Sequence, residues 1–216
     1  SSCFSLLQHT LPKLLQNKDL PDAVKQLRLC SALRNCGQSG VDDAFEQSDD
    51  ENMYVYDNES LGYSVWTNDE HTVSLPKTFN AQNPDKNTLI LLPLDGRIIT
   101  GKNIIQGGVC DCALLTNKEM SFVEFKTNVL SANDLTILQR ANEAIDQLWH
   151  TYDGIINPKC QKVGVEVKQK VSIDFYVVFD NDLRVTGAQA SLQNLQNEFL
   201  LDKHYQLYFQ NHKQFE

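Results

Sequence analysis

The sequence GGVCDCALLTNKEMSFVEFKT, residues 107–127, contains two apolar runs separated by a polar turn. The first run covers residues 109–115, and the second covers residues 122–126, with Thr-Asn-Lys-Glu between them at 116–119. Two short apolar runs that flank a polar turn are typical of a β-hairpin. We therefore expect a pair of antiparallel strands at the centre of the fold.

Three charged residues interrupt the apolar runs of this hairpin. Side chains alternate between the two faces of a strand, so Asp111 shares a face with Ala113, and Glu124 shares a face with Lys126 on the partner strand. If those faces coincide, two carboxylates and one ammonium converge inside an apolar hairpin. Because unpaired charges are costly to bury, this cluster indicates a functional site where these groups take part in a reaction.

Length and composition fit an ordinary globular domain. The 216 residues, 41% hydrophobic and 22% charged, are enough for one domain with a sizeable core. Apolar runs such as residues 89–92 are far too short to cross a bilayer, and we expect no membrane association. The six cysteines form no CxxC pair and no zinc-binding spacing with histidine, which favours buried, reduced thiols in a cytoplasmic protein.

The net charge of −9 is the opposite of the basic footprint of most nucleic-acid-binding proteins. Residues 42–70 hold ten acidic side chains and no Lys or Arg, so the remainder of the chain is close to neutral. Such an acidic run is usually a solvated loop. A nucleic acid would have to bind on a face away from it.

The first half of the chain predicts helices followed by a small β-meander. Apolar spacing predicts one helix over 4–15 and a second over 20–33. Residues 42–51 and 80–87 are expected to be loops. Short apolar runs predict strands over 53–56, 62–66, 72–75, 88–92 and 97–99.

Residues 131–152 carry the strongest helical pattern. Ser131, Asn133 or Asp134 would cap this helix, and Asp153-Gly154 would end it. Its predicted buried face consists of Leu135, Leu138, Ala141, Ile145, Leu148 and Trp149.

The remaining pattern alternates strands and a helix. Strands are predicted over 163–168, 171–180 and 205–209, and a further helix over 189–201. This order predicts an α/β or α+β fold in which helices flank a mixed central sheet. The expected domains are 1–87 and 88–216, or one continuous domain over 1–216.

Asp111 and Glu124 are candidate ligands of Mg²⁺ or Mn²⁺, which prefer oxygen donors and are commonly held by one or two carboxylates with water and a phosphate oxygen. The backbone carbonyl of Phe125 could be a further ligand. Such an ion can lower the pKa of bound water and stabilise charge on a scissile phosphate. Lys126 could orient the attacking water or neutralise the phosphate. Two plainer interpretations stay open: Asp111 could cap nearby backbone, and Lys126 could form a salt bridge on a solvated face.

The Glu-x-Lys spacing alone carries little information, because both residues are common. The chain holds a second copy, Glu166-Val167-Lys168, in which apolar residues alternate with polar ones as on a solvated strand face. The copy at 124–126 differs in its context. It lies among aromatic residues, follows an Asp embedded in an apolar run and precedes a long amphipathic helix.

GGVCDCALL, a short turn, FVEFK and then a glutamine-bearing helix resemble the PD-(D/E)xK superfamily of restriction-endonuclease-like nucleases. The positions that match the family's motif are Asp111, Glu124 and Lys126, and the resemblance covers about residues 88–180. It implies a restriction-endonuclease-like core, with an Asp on one strand, (D/E)xK on the next and then a helix that crosses the sheet.

Two further residues are suggested by this resemblance. Some exonuclease branches carry a Gln on the helix, for which Gln139 is the first candidate and Gln147 the second. The branch with a Tyr four residues after the Gln is not matched, since Glu143 and Thr151 occupy those positions. Many members add an acidic residue from an N-terminal helix, and Glu46 is the candidate here.

The resemblance implies a Mg²⁺- or Mn²⁺-dependent nuclease that hydrolyses DNA, in a setting such as restriction or phage defence. Because the chain is acidic, we expect such a nuclease to rely on a protein partner or a second copy for binding. The alternative is a non-catalytic module that keeps the nuclease core and binds a basic protein through its acidic surface. A neutral or basic rim around Asp111, Glu124 and Lys126 would favour the enzyme, and an acidic rim would favour the module.

Overall fold

The computed structural model describes residues 20–131, 133–183 and 187–216, so the helix predicted over 4–15 lies outside the described residues. The described chain is α+β, with one six-stranded and one four-stranded sheet, both mixed. Among these residues, no helix has the length and apolar character needed to cross a membrane.

Short elements precede the hairpin in the described chain. The helices are α1 (Asp22–Gln26), α2 (Leu29–Ala32) and α3 (Val41–Ala44). The strands are β1 (Glu46–Ser48), β2 (Asn52–Asn58), β3 (Tyr63–Thr67), β4 (Phe79–Gln82) and β5 (Leu89–Pro93).

The hairpin and the longer elements follow. The strands are β6 (Cys112–Leu115), β7 (Glu119–Lys126), β8 (Ser172–Phe179), β9 (Gln206–Tyr208) and β10 (His212–Gln214). The helices are α4 (Asp134–Trp149), a π-helix (His150–Ile156), α5 (Asn157–Lys162) and α6 (Gln189–Lys203).

The larger sheet has the strand order β1-β5-β6-β7-β8-β9. β5, β6 and β7 form an antiparallel meander, and α4 then leads to β8, which lies parallel to β7. The smaller sheet has the order β10-β4-β2-β3. The segment before residue 88 therefore contributes β1 to the larger sheet, and the C-terminal β10 completes the smaller one.

The larger sheet is buried on both faces. Side chains alternate along each strand, so Phe122 of β7 packs in the core under the helices, while Val123 packs in the core against the smaller sheet. Ile137 and Leu148 of α4 line the first core, and Met53 and Phe79 of the smaller sheet line the second. The protein therefore has three layers: helices, the six-stranded sheet and the four-stranded sheet.

Several predictions for the first half were wrong. Residues 72–75 form no strand, and Leu75–Lys77 is a 3-10 helix. Pro76 has no N–H to donate to a ladder, which explains the turn. The next strand is β4, partly inside the predicted 80–87 loop, and it pairs with β2 instead of β3, so the predicted meander does not form. The predicted 42–51 loop contains α3 and β1, and residues 97–99 contribute only an isolated bridge from Ile99 to Asp95.

The helix predicted over 20–33 is divided into α1 and α2. Arg28 separates them in the left-handed region, with φ 51°. In the second half, residues 163–168 form no strand, because Gly164 turns the chain with φ 82° and a 3-10 helix follows over Val167–Gln169. β10 lacked any sequence prediction.

Asn133 caps α4, since its side chain accepts a hydrogen bond from Leu135 N. Asp153-Gly154 does not end the helical segment, which continues through the π-helix into α5. Most of the predicted buried face is confirmed, since Ala141 and Leu148 are buried and Leu138, Ile145 and Trp149 pack against the core. Leu135 is wrong, at 77% exposed, whereas Ile137 and Ala144 are fully buried.

Substitution of these two α4 residues tests which face packs on the sheet. We expect Ile137→Ala to lower the free energy of unfolding by about 2–5 kcal/mol, since it leaves a cavity in the core. Leu135→Ala, two positions away, should change it by less than about 0.5 kcal/mol. Chemical denaturation of both variants measures the difference, and equal losses would contradict this packing.

Candidate active site

The carboxylates of Asp111 and Glu124 each accept a hydrogen bond from the backbone of the opposite strand, at the open end of the hairpin. The β6–β7 ladder ends where Cys112 pairs with Val123, so Asp111 lies just outside β6 and Glu124 lies just beyond the last pair. Asp111 N donates to Glu124 Oε2 at 3.2 Å, and Phe125 N donates to Asp111 Oδ2 at 2.6 Å. These reciprocal hydrogen bonds bring the two carboxylates to one place.

Lys126 completes the cluster. Its Nζ donates to Glu124 Oε1 at 2.7 Å and to Gln147 Oε1 of α4 at 2.7 Å. The side chains of Glu124 and Lys126 are only 3% and 11% exposed. The ion pair is therefore buried, and the interpretation of Lys126 as part of a solvated face is wrong.

The carbonyl of Phe125 lies at the same edge. In a strand, the N–H and C=O of one residue project to the same side, and the Phe125 N–H is directed at Asp111. The carbonyl therefore faces the Asp111 side, beyond the last β6–β7 pair. This arrangement suits the ligand role that the sequence predicted for it.

The segment before Asp111 is fixed on α4 and the π-helix. His150 Nδ1 donates to Gly108 O at 2.6 Å, and Gln147 Nε2 donates to Val109 O at 3.4 Å. Cys110 N donates to Thr151 Oγ1 at 2.8 Å, and the same hydroxyl donates to the carbonyl of Gln147 at 2.7 Å. Gln147 thus connects this segment to Lys126.

The two glycines before the strand are required by this close approach. Gly107 and Gly108 have φ values of 105° and 84°, a region that favours glycine. A Cβ on Gly108 would come within 2.6 Å of Gln147 Cγ, and a Cβ on Gly107 would come within 3.0 Å of the His150 ring. The GG pair therefore allows the chain to lie directly against α4.

Burial makes both carboxylates reluctant to ionise. Burial raises the pKa of Glu124 to about 7, although its contact with Lys126 opposes the rise. Burial, and then repulsion from Glu124, raise the pKa of Asp111 well above its usual range. A bound cation would stabilise the charged form of both groups.

Two further acidic residues, Asp57 and Asp95, lie near this pair of carboxylates. Asp57 of β2 repels Asp111, and Asp95, which follows β5, repels Glu124. Partial desolvation, and then repulsion from Glu59, raise the pKa of Asp57; partial desolvation also raises the pKa of Asp95. Sequence analysis missed both residues, because Asp57 belongs to the acidic run and Asp95 belongs to a turn signal.

The other candidate residues lie apart from the cluster. Gln139 is exposed and donates to Glu143 Oε1 at 3.0 Å, so the second candidate, Gln147, is the glutamine that reaches Lys126. Glu46 begins β1 instead of lying on a helix, and pairs with Arg97 at 4.0 Å.

The cysteines and the second Glu-x-Lys copy also take no part. Cys110 and Cys112 are fully buried, and burial raises the pKa of both thiols well above the usual range, so they stay protonated as core residues. Lys168 is exposed, and Glu166 accepts a hydrogen bond from Gln161. The second copy is therefore a surface feature.

The donor set fits a hard divalent cation. Across residues 20–131, 133–183 and 187–216, no three His, Cys, Asp or Glu side chains gather closely enough to hold a metal ion by themselves. Asp111 and Glu124 supply two carboxylates, each with lone pairs left after their hydrogen bonds. Mg²⁺ commonly binds one or two carboxylates and completes its shell with water and phosphate oxygens.

The pKa of Glu124 makes the metal-free protein sensitive to pH. Between about pH 4.5 and about pH 7, the folded chain holds a proton that the unfolded chain has released, so the free energy of unfolding falls as pH rises. We expect this fall to be smaller in Glu124→Gln, by up to about 3 kcal/mol over that window. Urea unfolding in chelator at several pH values measures it. Parallel curves for the two proteins would contradict the assignment, and saturating Mg²⁺ should reduce the wild-type fall.

Asp111, Glu124, Lys126 and Gln147 thus form one connected polar cluster at the open end of the hairpin. The residues of the PD-(D/E)xK-like motif are all part of it. No protein-family model, no curated protein and no solved structure matches this chain.

Proposed function

We propose that the protein is a metal-dependent nuclease that hydrolyses phosphodiester bonds, with DNA as its substrate. The observation that carries the proposal is the buried Glu124–Lys126 pair, placed beside the carboxylate of Asp111. A buried ion pair is weak evidence for stability, because removing two charges from water is costly. Two carboxylates and an ammonium at one buried point are, however, the groups that phosphodiester hydrolysis uses.

The strand order supports a restriction-endonuclease-like core. β5, β6 and β7 are antiparallel, α4 crosses over, and β8 returns parallel to β7. Asp111 then lies at the start of one strand and Glu124 and Lys126 at the end of the next, as the family resemblance implies. The setting in restriction or phage defence rests on that resemblance alone.

Asp111 and Glu124 would hold Mg²⁺ or Mn²⁺, with the Phe125 carbonyl on the same side. When bound, the ion would lower the pKa of a water molecule and offset the charge on the phosphate. The Lys126 ammonium has three donors, of which Glu124 and Gln147 take two. The third is available to orient the attacking water or a phosphate oxygen. Gln147 acts as a positioning residue, since it holds Lys126.

A non-catalytic interaction module is the second candidate. Asp57 and Asp95 form an acidic rim beside the cluster, which is the feature expected of this module, since it would attract a basic protein and repel a nucleic acid in the absence of metal. The same carboxylates would favour divalent cations at the site. Metal binding and cleavage therefore distinguish the two functions.

A cytoplasmic location is part of the proposal. Cys30, Cys36, Cys110, Cys112 and Cys160 are free thiols, as is usual in a reducing compartment.

Cleavage of linear, circular and single-stranded DNA, and of RNA, is the direct test. With Mg²⁺ or Mn²⁺ we expect hydrolysis that chelator abolishes. Glu124→Gln and Lys126→Met should lower the rate by about 10²–10⁴, because each removes a group that acts on the reacting atoms. Gln147→Ala should lower it by about 10–100-fold, the usual effect of losing a residue that orients an active-site group.

Matched controls come from the same chain. Gln139→Ala, on the same helix as Gln147, and Lys168→Met, in the second Glu-x-Lys copy, should retain wild-type rates. Equal loss in the controls would indicate a general structural effect. No cleavage, together with no heat of Mg²⁺ binding by calorimetry, would overturn the nuclease and favour the interaction module.

A further inference from the structure

A cavity of about 410 Å³ opens where β8 and β9 end, beside the start of α6. This volume lies within the range of about 300–1,000 Å³ that is usual for small-ligand sites. Four glutamines and two aromatic rings form much of its wall: Gln189, Gln193, Gln196, Gln210, Phe179 and Phe209.

The cavity lies at the same end of the sheet as the candidate active site, where β7 and β8 end. Phe179, the last residue of β8, is the register partner of Lys126 on β7. Adjacent strands are about 4.8 Å apart, and directly paired residues share a face of the sheet. The cavity therefore begins one strand away from Lys126, on the face that carries Glu124.

The aromatic wall suits a flat ring. Phe179 and Phe209 are nearly parallel, with centroids 6.4 Å apart and an interplanar angle of 25°. Phe209 is half-buried, so part of its ring remains accessible from the cavity. Bases stack on such rings with about 1–3 kcal/mol per base, and the stacking tolerates any base.

The amides suit the edge of a base. Gln196 Nε2 donates to Leu207 O at 2.9 Å, and Gln210 Nε2 donates to His212 O at 3.0 Å. These bonds fix both amides and leave their carbonyl oxygens as acceptors for exocyclic amines. Gln189 and Gln193 are exposed on the same face of α6 and offer both donors and acceptors.

The charge of the wall argues against a phosphate in the same place. Among the described residues that line the cavity there is no Lys or Arg, and Asp180 contributes a carboxylate. That carboxylate is paired with Lys77 at 3.9 Å, so the described wall offers no free cationic group to a phosphate, whereas an uncharged base needs none.

We propose that this cavity binds an unpaired nucleobase of the substrate strand, next to the phosphate held at Asp111 and Glu124. The inference rests on the proposed nuclease function and names its substrate class: single-stranded, frayed or distorted nucleic acid. A base in an intact duplex cannot offer its Watson–Crick edge, so it would have to leave the stack first.

Short single-stranded DNA with 2-aminopurine at successive positions tests the proposal. Binding is measured by fluorescence with Ca²⁺, a hard cation that can replace Mg²⁺ at carboxylates. We expect one position to respond on binding. Phe209→Leu should weaken single-strand affinity by about 5–150-fold, the equivalent of one lost stack, and Gln193→Ala should also weaken it.

Two controls separate this subsite from folding and from the metal site. Asn194→Ala, exposed and adjacent to Gln193 on α6, should bind as the wild type does. All three variants should keep wild-type Mg²⁺ affinity. Because Gln193 is exposed, its substitution tests the cavity even if Phe209→Leu loses its fold.

The outcomes distinguish this inference from the proposed function. If the protein cleaves nucleic acid, but no position responds and Gln193→Ala binds normally, the inference is wrong and the nuclease stands. If one position responds and both cavity variants weaken binding without any cleavage, the base subsite stands and hydrolysis is wrong. If no oligonucleotide binds and no nucleic acid is cleaved, both are wrong.

Discussion

Glu124 and Lys126 form an ion pair whose side chains are only 3% and 11% exposed. The surrounding residues supply the hydrogen bonds that water would otherwise make to these two charges. Taking charges out of water costs several kcal/mol per ion unless geometry and additional hydrogen bonds compensate. The compensation comes from Asp111 N on Glu124 and from Gln147 on Lys126. The strand β7, the segment that ends at Asp111 and the helix α4 must therefore all be folded before the burial of these charges is compensated.

The location of the pair follows from the alternation of β7. Phe122 faces the helical layer and Val123 faces the smaller sheet, so the strand interior is apolar on both sides. Glu124 continues the helical face just where the ladder with β6 ends, and that ending leaves Phe125 N and Asp111 N available for the carboxylates. The polar cluster thus occupies the point where backbone groups would otherwise lack partners.

Local patterns in the sequence were sufficient for the hairpin, for β5, β8 and α6, and for the convergence of Asp111, Glu124 and Lys126, since these depend on alternation and spacing. Local patterns were insufficient where contacts between residues far apart in the sequence decide the secondary structure. β1 exists because it pairs with the buried β5, and the π-helix at 150–156 continues past Gly154 while its residues bind 108–110. The family resemblance placed Gln139 before Gln147, but packing sets the rotation of α4 on the sheet, and it is Gln147 that reaches Lys126 while Gln139 is exposed.

If the protein acts as the proposed nuclease, its acidic character limits how it can hold a nucleic acid. Lys and Arg contacts to phosphates supply most non-specific affinity, and a chain of net charge −9 with Asp57 and Asp95 beside its site has few to offer there. Two sources of affinity remain at this sheet edge. A divalent cation between Asp111 and Glu124 would convert a repulsive site into one that attracts a phosphate, and the glutamine- and phenylalanine-lined cavity would bind a base without needing positive charge. Under the proposed function, affinity would then depend on a bound metal ion and on an unpaired base, and the same acidic charges would disfavour an intact duplex.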